Sequence, residues 1–150
     1  MSALARLLFL VTIALGPTTL RAEEPLRLIT QREADLPTND GLGPSRNLTR
    51  GPGVEAVSPP EMDLDGPFRF AVRFRPRNGV PIDPATVRVT YLRQPSIDLT
   101  PRVKGFTGPE GIEAPLVTVP AGRHVIEIEV KDRQGRAGRG RITLNAGKVQ

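Results

Sequence analysis

His124 is the only histidine in the chain, so any imidazole chemistry at neutral pH would have to pass through it. Cysteine is absent, and the only methionines are Met1 and Met62. That removes thiolate ligands, a thiolate nucleophile and a disulfide framework at one stroke. A zinc or copper site needs three or four nitrogen or sulfur donors, and one histidine does not supply them. Nucleophilic catalysis needs a hydroxyl or thiol marked out beside a base, and no nucleophile-elbow or Gly-rich phosphate loop occurs. His124 follows Gly122 at the head of an alternating apolar stretch. It is therefore expected to be a structural corner residue whose ring bonds the backbone just upstream.

Carboxylates are more numerous but poorly grouped. Asp63-Leu64-Asp65-Gly66 carries two of the oxygens a calcium loop would use, without the further carboxylates or distal glutamate. Asx-turn chemistry before Pro67 accounts for it equally well, and Asp83 and Asp98 read as turn or strand-edge residues. No catalytic residue, metal site or cofactor is expected. Asn47-Leu48-Thr49 matches a glycosylation sequon. The densest charge lies near the end, where Lys131, Arg133, Arg136, Arg139 and Arg141 fall within eleven residues whose one acid is Asp132. Arg133, Arg136, Arg139 and Arg141 are the candidate binding residues, for an anionic partner such as lipid headgroups, an envelope polymer or an acidic protein. The alternative is a protected strand edge, with Glu127 and Glu129 neutralising Arg139 and Arg141 across a ladder.

The elements that position these groups follow from a period of two. Phe68, Phe70, Val72 and Phe74 alternate with Arg69, Ala71, Arg73 and Arg75, which predicts a half-buried strand with the phenylalanines inward. Val87, Val89 and Tyr91 alternate in the next, and His124, Ile126, Ile128 and Val130 share a face against Val125, Glu127, Glu129 and Lys131. Shorter apolar runs lie at residues 97–99, 112–114 and 116–119, and Gly138, Gly140, Ile142 and Leu144 close the pattern. Turn signals such as Asn78-Gly79, Gly108-Pro109 and Gln134-Gly135 separate them. About seven short strands with no useful helical period after residue 37 predict an all-β sandwich. Upstream, residues 23–50 read as a mostly irregular arm. It holds one helix near residues 30–36, with Thr30 and Glu33 at capping-box spacing and Pro37 ending the run.

Residues 1–22 have the order of a cleaved export signal: Arg6, an apolar run over residues 7–15, then Leu20-Arg21-Ala22. A nine-residue run is too short for a bilayer, which takes about 20 residues in a helix, and no later segment is apolar enough to span one. Without Arg6 and Arg21 the net charge falls from +5 to +3, a mild excess. Export separates the chain from cytoplasmic nucleic acid, so basicity does not argue for DNA or RNA as partners.

The stretches GPGVEAVSP, PFRFAVRFRPRNGVPIDPATVRVTYL and AGRHVIEIEVKDRQGRAGRGRITL together resemble the bacterial immunoglobulin-like domains of exported proteins. Gly122, His124, the strand 126–130, Asp132 with Gly135, and the strand 142–144 carry that resemblance most clearly. It implies an immunoglobulin-like antiparallel β-sandwich of about seven strands over residues 51–146, followed by a tail at 147–150. Trp and a Cys pair, the antibody-type markers, are missing, so the phenylalanines of the first strong strand should centre the core. The resulting expectation is a periplasmic or secreted, non-enzymatic module acting through protein or envelope contacts. The rival expectations are an accessory domain or small enzyme with a carboxylate and arginine site scattered in sequence, and a metal carrier disfavoured by its few ligands.

Overall fold

A computed structural model describes residues 22–39, 50–60 and 63–147. The expected export signal over residues 1–22, apart from Ala22, lies outside the described residues, as do Asn47, Met62 and all but Gly147 of the expected tail at 147–150. The described chain is mostly β and forms two packed sheets, an open sandwich. Six strands carry it: β2 (Gly53–Ser58), β3 (Phe68–Arg75), β4 (Ile82–Tyr91), β7 (Gly111–Thr118), β8 (Gly122–Asp132) and β9 (Ala137–Ala146). Three two-residue strands trim the edges: β1 (Leu26–Arg27), β5 (Ile97–Asp98) and β6 (Thr107–Gly108). The five-stranded sheet runs β1-β7-β3-β2 with β6 also on β7, and the four-stranded sheet runs β5-β4-β8-β9.

Alternation decides which side of each strand is inside. Phe70, Val72 and Phe74 are buried as expected, with Phe68 partly buried against them. Val87, Val89 and Tyr91 of β4, and Ile126, Ile128 and Val130 of β8, face them across the sandwich core. Ala71 departs from the pattern: it belongs to the outward set of β3 yet is only 1 % exposed, because the larger side chains around it cover so small a residue. Where the two sheets meet, backbone runs against backbone. A Cβ on Gly138 would stand 1.8 Å from the Pro52 carbonyl oxygen, and one on Gly51 would stand 2.1 Å from that of Ala137. Only glycine permits that closure.

Two further departures have local causes. The all-β expectation gives way to α2 (Thr100–Val103) continuing into a 3₁₀ turn (Lys104–Phe106). Pro101 suits a first helical turn, and elements this short leave no periodicity to read. The sandwich is also not wholly antiparallel, since β1 runs parallel to β7 with Leu26 opposite Val117. That pairing draws the expected irregular arm onto the body. Leu28 and Ile29 are buried in the core, and α1 (Gln31–Ala34) begins with the capping box legible in the sequence. Arg102 from α2 clamps it: Nη2 meets Glu33 Oε1 at 2.5 Å and Nη1 donates to the Leu28 carbonyl at 2.7 Å. The Arg102 bond is the main reason the Glu33 pKa is lowered to about 2.

Candidate functional site

The arginine-rich hairpin is organised around Asp132, which is 2 % exposed. Its Oδ1 accepts from the backbone N–H groups of Gln134 (2.9 Å) and Arg136 (3.0 Å), and its Oδ2 accepts from Arg136 Nε at 2.7 Å. Burial opposes its charge, but these donors outweigh burial and hold its pKa below the ordinary carboxylate value. Arg136, a predicted binding residue, is thus engaged within its own turn. Register places Glu127 opposite Arg141 and Glu129 opposite Arg139. Arg139 Nη2 bonds Glu129, and Arg141 Nε bonds Glu127 at 2.9 Å. Of the four candidate arginines only Arg133 has an exposed side chain with no ion pair among the described residues; its backbone N–H bonds the Pro81 carbonyl. The four therefore share one hairpin, but three of them are turned onto its own carboxylates.

His124 lies at the head of β8, 1 % exposed, inside a chain of hydrogen bonds. Arg93 Nε donates to the Tyr91 hydroxyl at 2.7 Å, and that hydroxyl lies 2.8 Å from His124 Nδ1. His124 Nε2 stands 2.7 Å from the Pro120 carbonyl oxygen. The carbonyl can only accept, so Nε2 carries the proton and Nδ1 accepts from tyrosine. Burial first, and the Arg93 charge after it, hold the His124 pKa below 6.5, with the Pro120 bond opposing them. Arg93 also donates to the carbonyls of Leu36 and Arg123, each at 3.2 Å, tying the arm to the same network. Both ring nitrogens are thus committed to protein partners, and the ring sits out of reach of solvent. The sequence pointed to His124 as a corner but not to Tyr91 and Arg93. Their i, i+2 spacing looks like any strand alternation.

The Asp63–Gly66 segment is an edge rather than a cage. Leu64 donates to the Asn145 carbonyl at 2.8 Å and accepts from Gly147 N–H at 3.0 Å, while Asp63 and Asp65 stay exposed. Among the described residues no three His, Cys, Asp or Glu side chains come together in a way that could hold a metal ion.

The most distinctive surface is one the sequence did not announce. A groove of about 610 Å³ lies on the outer side of the five-stranded sheet, lined among others by Val57, Ala71, Arg73, Phe106, Glu110 and Gly111. Val57 and Phe106, 40 % and 38 % exposed, are the large hydrophobics most open to solvent among the described residues, and both line it. Two smaller grooves, about 500 and 450 Å³, flank Asp98 and Thr100 at the β4 edge and mix charges of both signs. Neither a family model, nor a curated protein, nor a solved structure matches this chain.

Proposed function

We propose that the chain is an immunoglobulin-like module, exported to the periplasm or beyond, that works by binding a partner rather than by catalysis. The strand order supports the fold reading. β2, β3 and β7 occupy the places of strands A, B and E, and β5, β4, β8 and β9 those of C′, C, F and G; β1 takes the position of D. The observation that carries the binding reading is the gathering of Val57 and Phe106 into one groove. Exposed apolar side chains grouped with polar neighbours mark interaction sites, whereas scattered ones need no explanation. The imidazole, by contrast, is consumed by Tyr91 and Pro120, and the hairpin arginines largely by Asp132, Glu127 and Glu129.

Site-specific photo-cross-linking in the native envelope tests this. A benzophenone side chain at position 57 or 106 is expected to give a discrete adduct that the same group at position 77 or 94, on other loops, does not give. Uniform or absent cross-linking at all four positions overturns the binding reading. The export reading has its own check: N-terminal sequencing of the envelope-fraction protein is expected to start at Glu23, and an intact Met1 would refute it.

A further inference from the structure

We propose that the groove on the five-stranded sheet docks an extended segment of a partner protein that carries a carboxylate and, two residues away, a bulky apolar side chain. This rests on the binding reading above and specifies its partner.

Arg73 supplies the charge argument. Three arginines stand on the outer face of β3, and two are neutralised from neighbouring strands. Arg69 is gripped by both oxygens of Glu113 on β7, at 2.5 and 2.8 Å, and Arg75 meets Glu55 on β2 at 2.8 Å. Arg73, between them, has no ion pair among the described residues. Its cross-strand neighbour on β2 is Glu55, already held by Arg75, and its neighbour on β7 is Gly111. Gly111 has φ +152°, and a Cβ there would lie 1.9 Å from the Val72 carbonyl oxygen, so no carboxylate can grow from that position. Glu110, next to it in the turn, lines the groove without pairing with Arg73. The sheet thus presents an open guanidinium beside a bare glycine, and a guanidinium prefers a planar carboxylate held by two bonds.

Spacing supplies the second half. Ala71 and Arg73 are i and i+2 on one strand face, about 7 Å apart at the usual rise. An extended partner segment repeats at the same interval. With its carboxylate on Arg73, its side chain two residues on reaches the level of Ala71, which is itself covered, and meets the exposed Val57 and Phe106 that line the same groove. The groove volume lies within the range of sites for small ligands and short peptide segments, about 300–1,000 Å³. A lipid headgroup offers phosphate charge but not this fixed pairing of carboxylate and apolar side chain.

The test is fluorescence anisotropy with a labelled heptapeptide, Gly-Ser-Phe-Ser-Glu-Ser-Gly, and the chain as it is exported. Saturable binding is expected. It should weaken at least about tenfold when the probe glutamate becomes glutamine, and by a similar factor in Arg73→Gln, since each removes a charge-assisted pair. Phe106→Ser should weaken it as well, and Arg133→Ser should leave it unchanged. Both altered groove side chains are exposed, so the variants retain the wild-type fold, checked by circular dichroism. Binding no tighter than about 1 mM, or binding indifferent to Arg73→Gln, overturns the proposal. So does Arg73-dependent binding to phosphatidylglycerol vesicles with none to the peptide, which would assign the groove to a membrane. If position 106 still cross-links a partner while the peptide fails, the binding function stands and only this account of its partner falls.

Discussion

The outer faces of the two sheets use the same side chains in opposite arrangements. On the four-stranded sheet the inner strand β8 carries the acids, Glu127 and Glu129, and its neighbours bring the bases, with Arg88 and Arg139 both in register with Glu129. On the five-stranded sheet the inner strand β3 carries the bases, and its neighbours bring the acids Glu113 and Glu55. In the first, Glu127 and Glu129 hold Arg139 and Arg141, and Arg88 is left without an ion pair among the described residues, with no exposed large apolar side chain beside it. The second fails at one position, because the residue opposite Arg73 is a glycine that the backbone geometry forbids from being anything else. The lesson is that an arginine without an ion pair is by itself solvated surface, whereas one beside exposed apolar groups leaves a place for another molecule.

The largest effect should come from beneath that face. Phe70 is fully buried, so Phe70→Ala is expected to destabilise by about 3–5 kcal/mol in denaturant unfolding. A small shift in midpoint would mean that β3 turns its arginines, not its phenylalanines, to the core. Supplying the missing partner should also be costly. Gly111→Ala sets a side chain at a positive φ against a backbone oxygen and should cost on the order of 3 kcal/mol. If it is tolerated, the gap opposite Arg73 is not enforced by the backbone, and the contrast between the faces loses its cause.

Next comes the internal network, where polar groups are paired without solvent. Tyr91→Phe leaves Arg93 Nε and His124 Nδ1 without partners and should cost about 1–3 kcal/mol. The same network sets a pH dependence. The folded His124 pKa lies below 6.5, so the unfolded chain takes up the proton first. Its contribution is complete above about 6.5 and is lost as pH falls toward the folded value. His124→Gln should flatten the stability profile in that window, and an unchanged slope would show that the imidazole is already charged in the fold. Glu33 acts further down: its contribution is present above 4.5 and lost as pH falls to about 2. The smallest effects belong to the outer faces. Arg139→Ser should cost less than about 1 kcal/mol and Arg73→Ser less than about 0.5. Equal costs for the two would erase the distinction between a paired and an unpaired arginine.

Much of the architecture is legible in the chain. The period of two assigned the buried and exposed faces of β3, β4 and β8, and the Glu and Arg spacing anticipated the pairing of Glu127 and Glu129 with Arg139 and Arg141. Thr30 and Glu33 gave away the cap of α1. Less was legible in the arm, where Leu28 and Ile29 sit among turn formers and carry no period that marks them as core. The groove was the least visible part: Arg73 has the same sequence context as Arg69 and Arg75.

Sequence alone therefore determined the strand faces, the capped turn and the lack of cysteine beside a single histidine, because those depend on residue type and on neighbours two to four positions away. Tertiary structure decided the rest. It brought Val57 and Phe106 from distant parts of the chain into one groove, set Gly111 opposite Arg73, joined Arg93 and Tyr91 to His124, and laid the arm against β7. Each of these turns on inter-strand register and loop paths, which are fixed by packing across the whole sandwich and leave no local periodic trace.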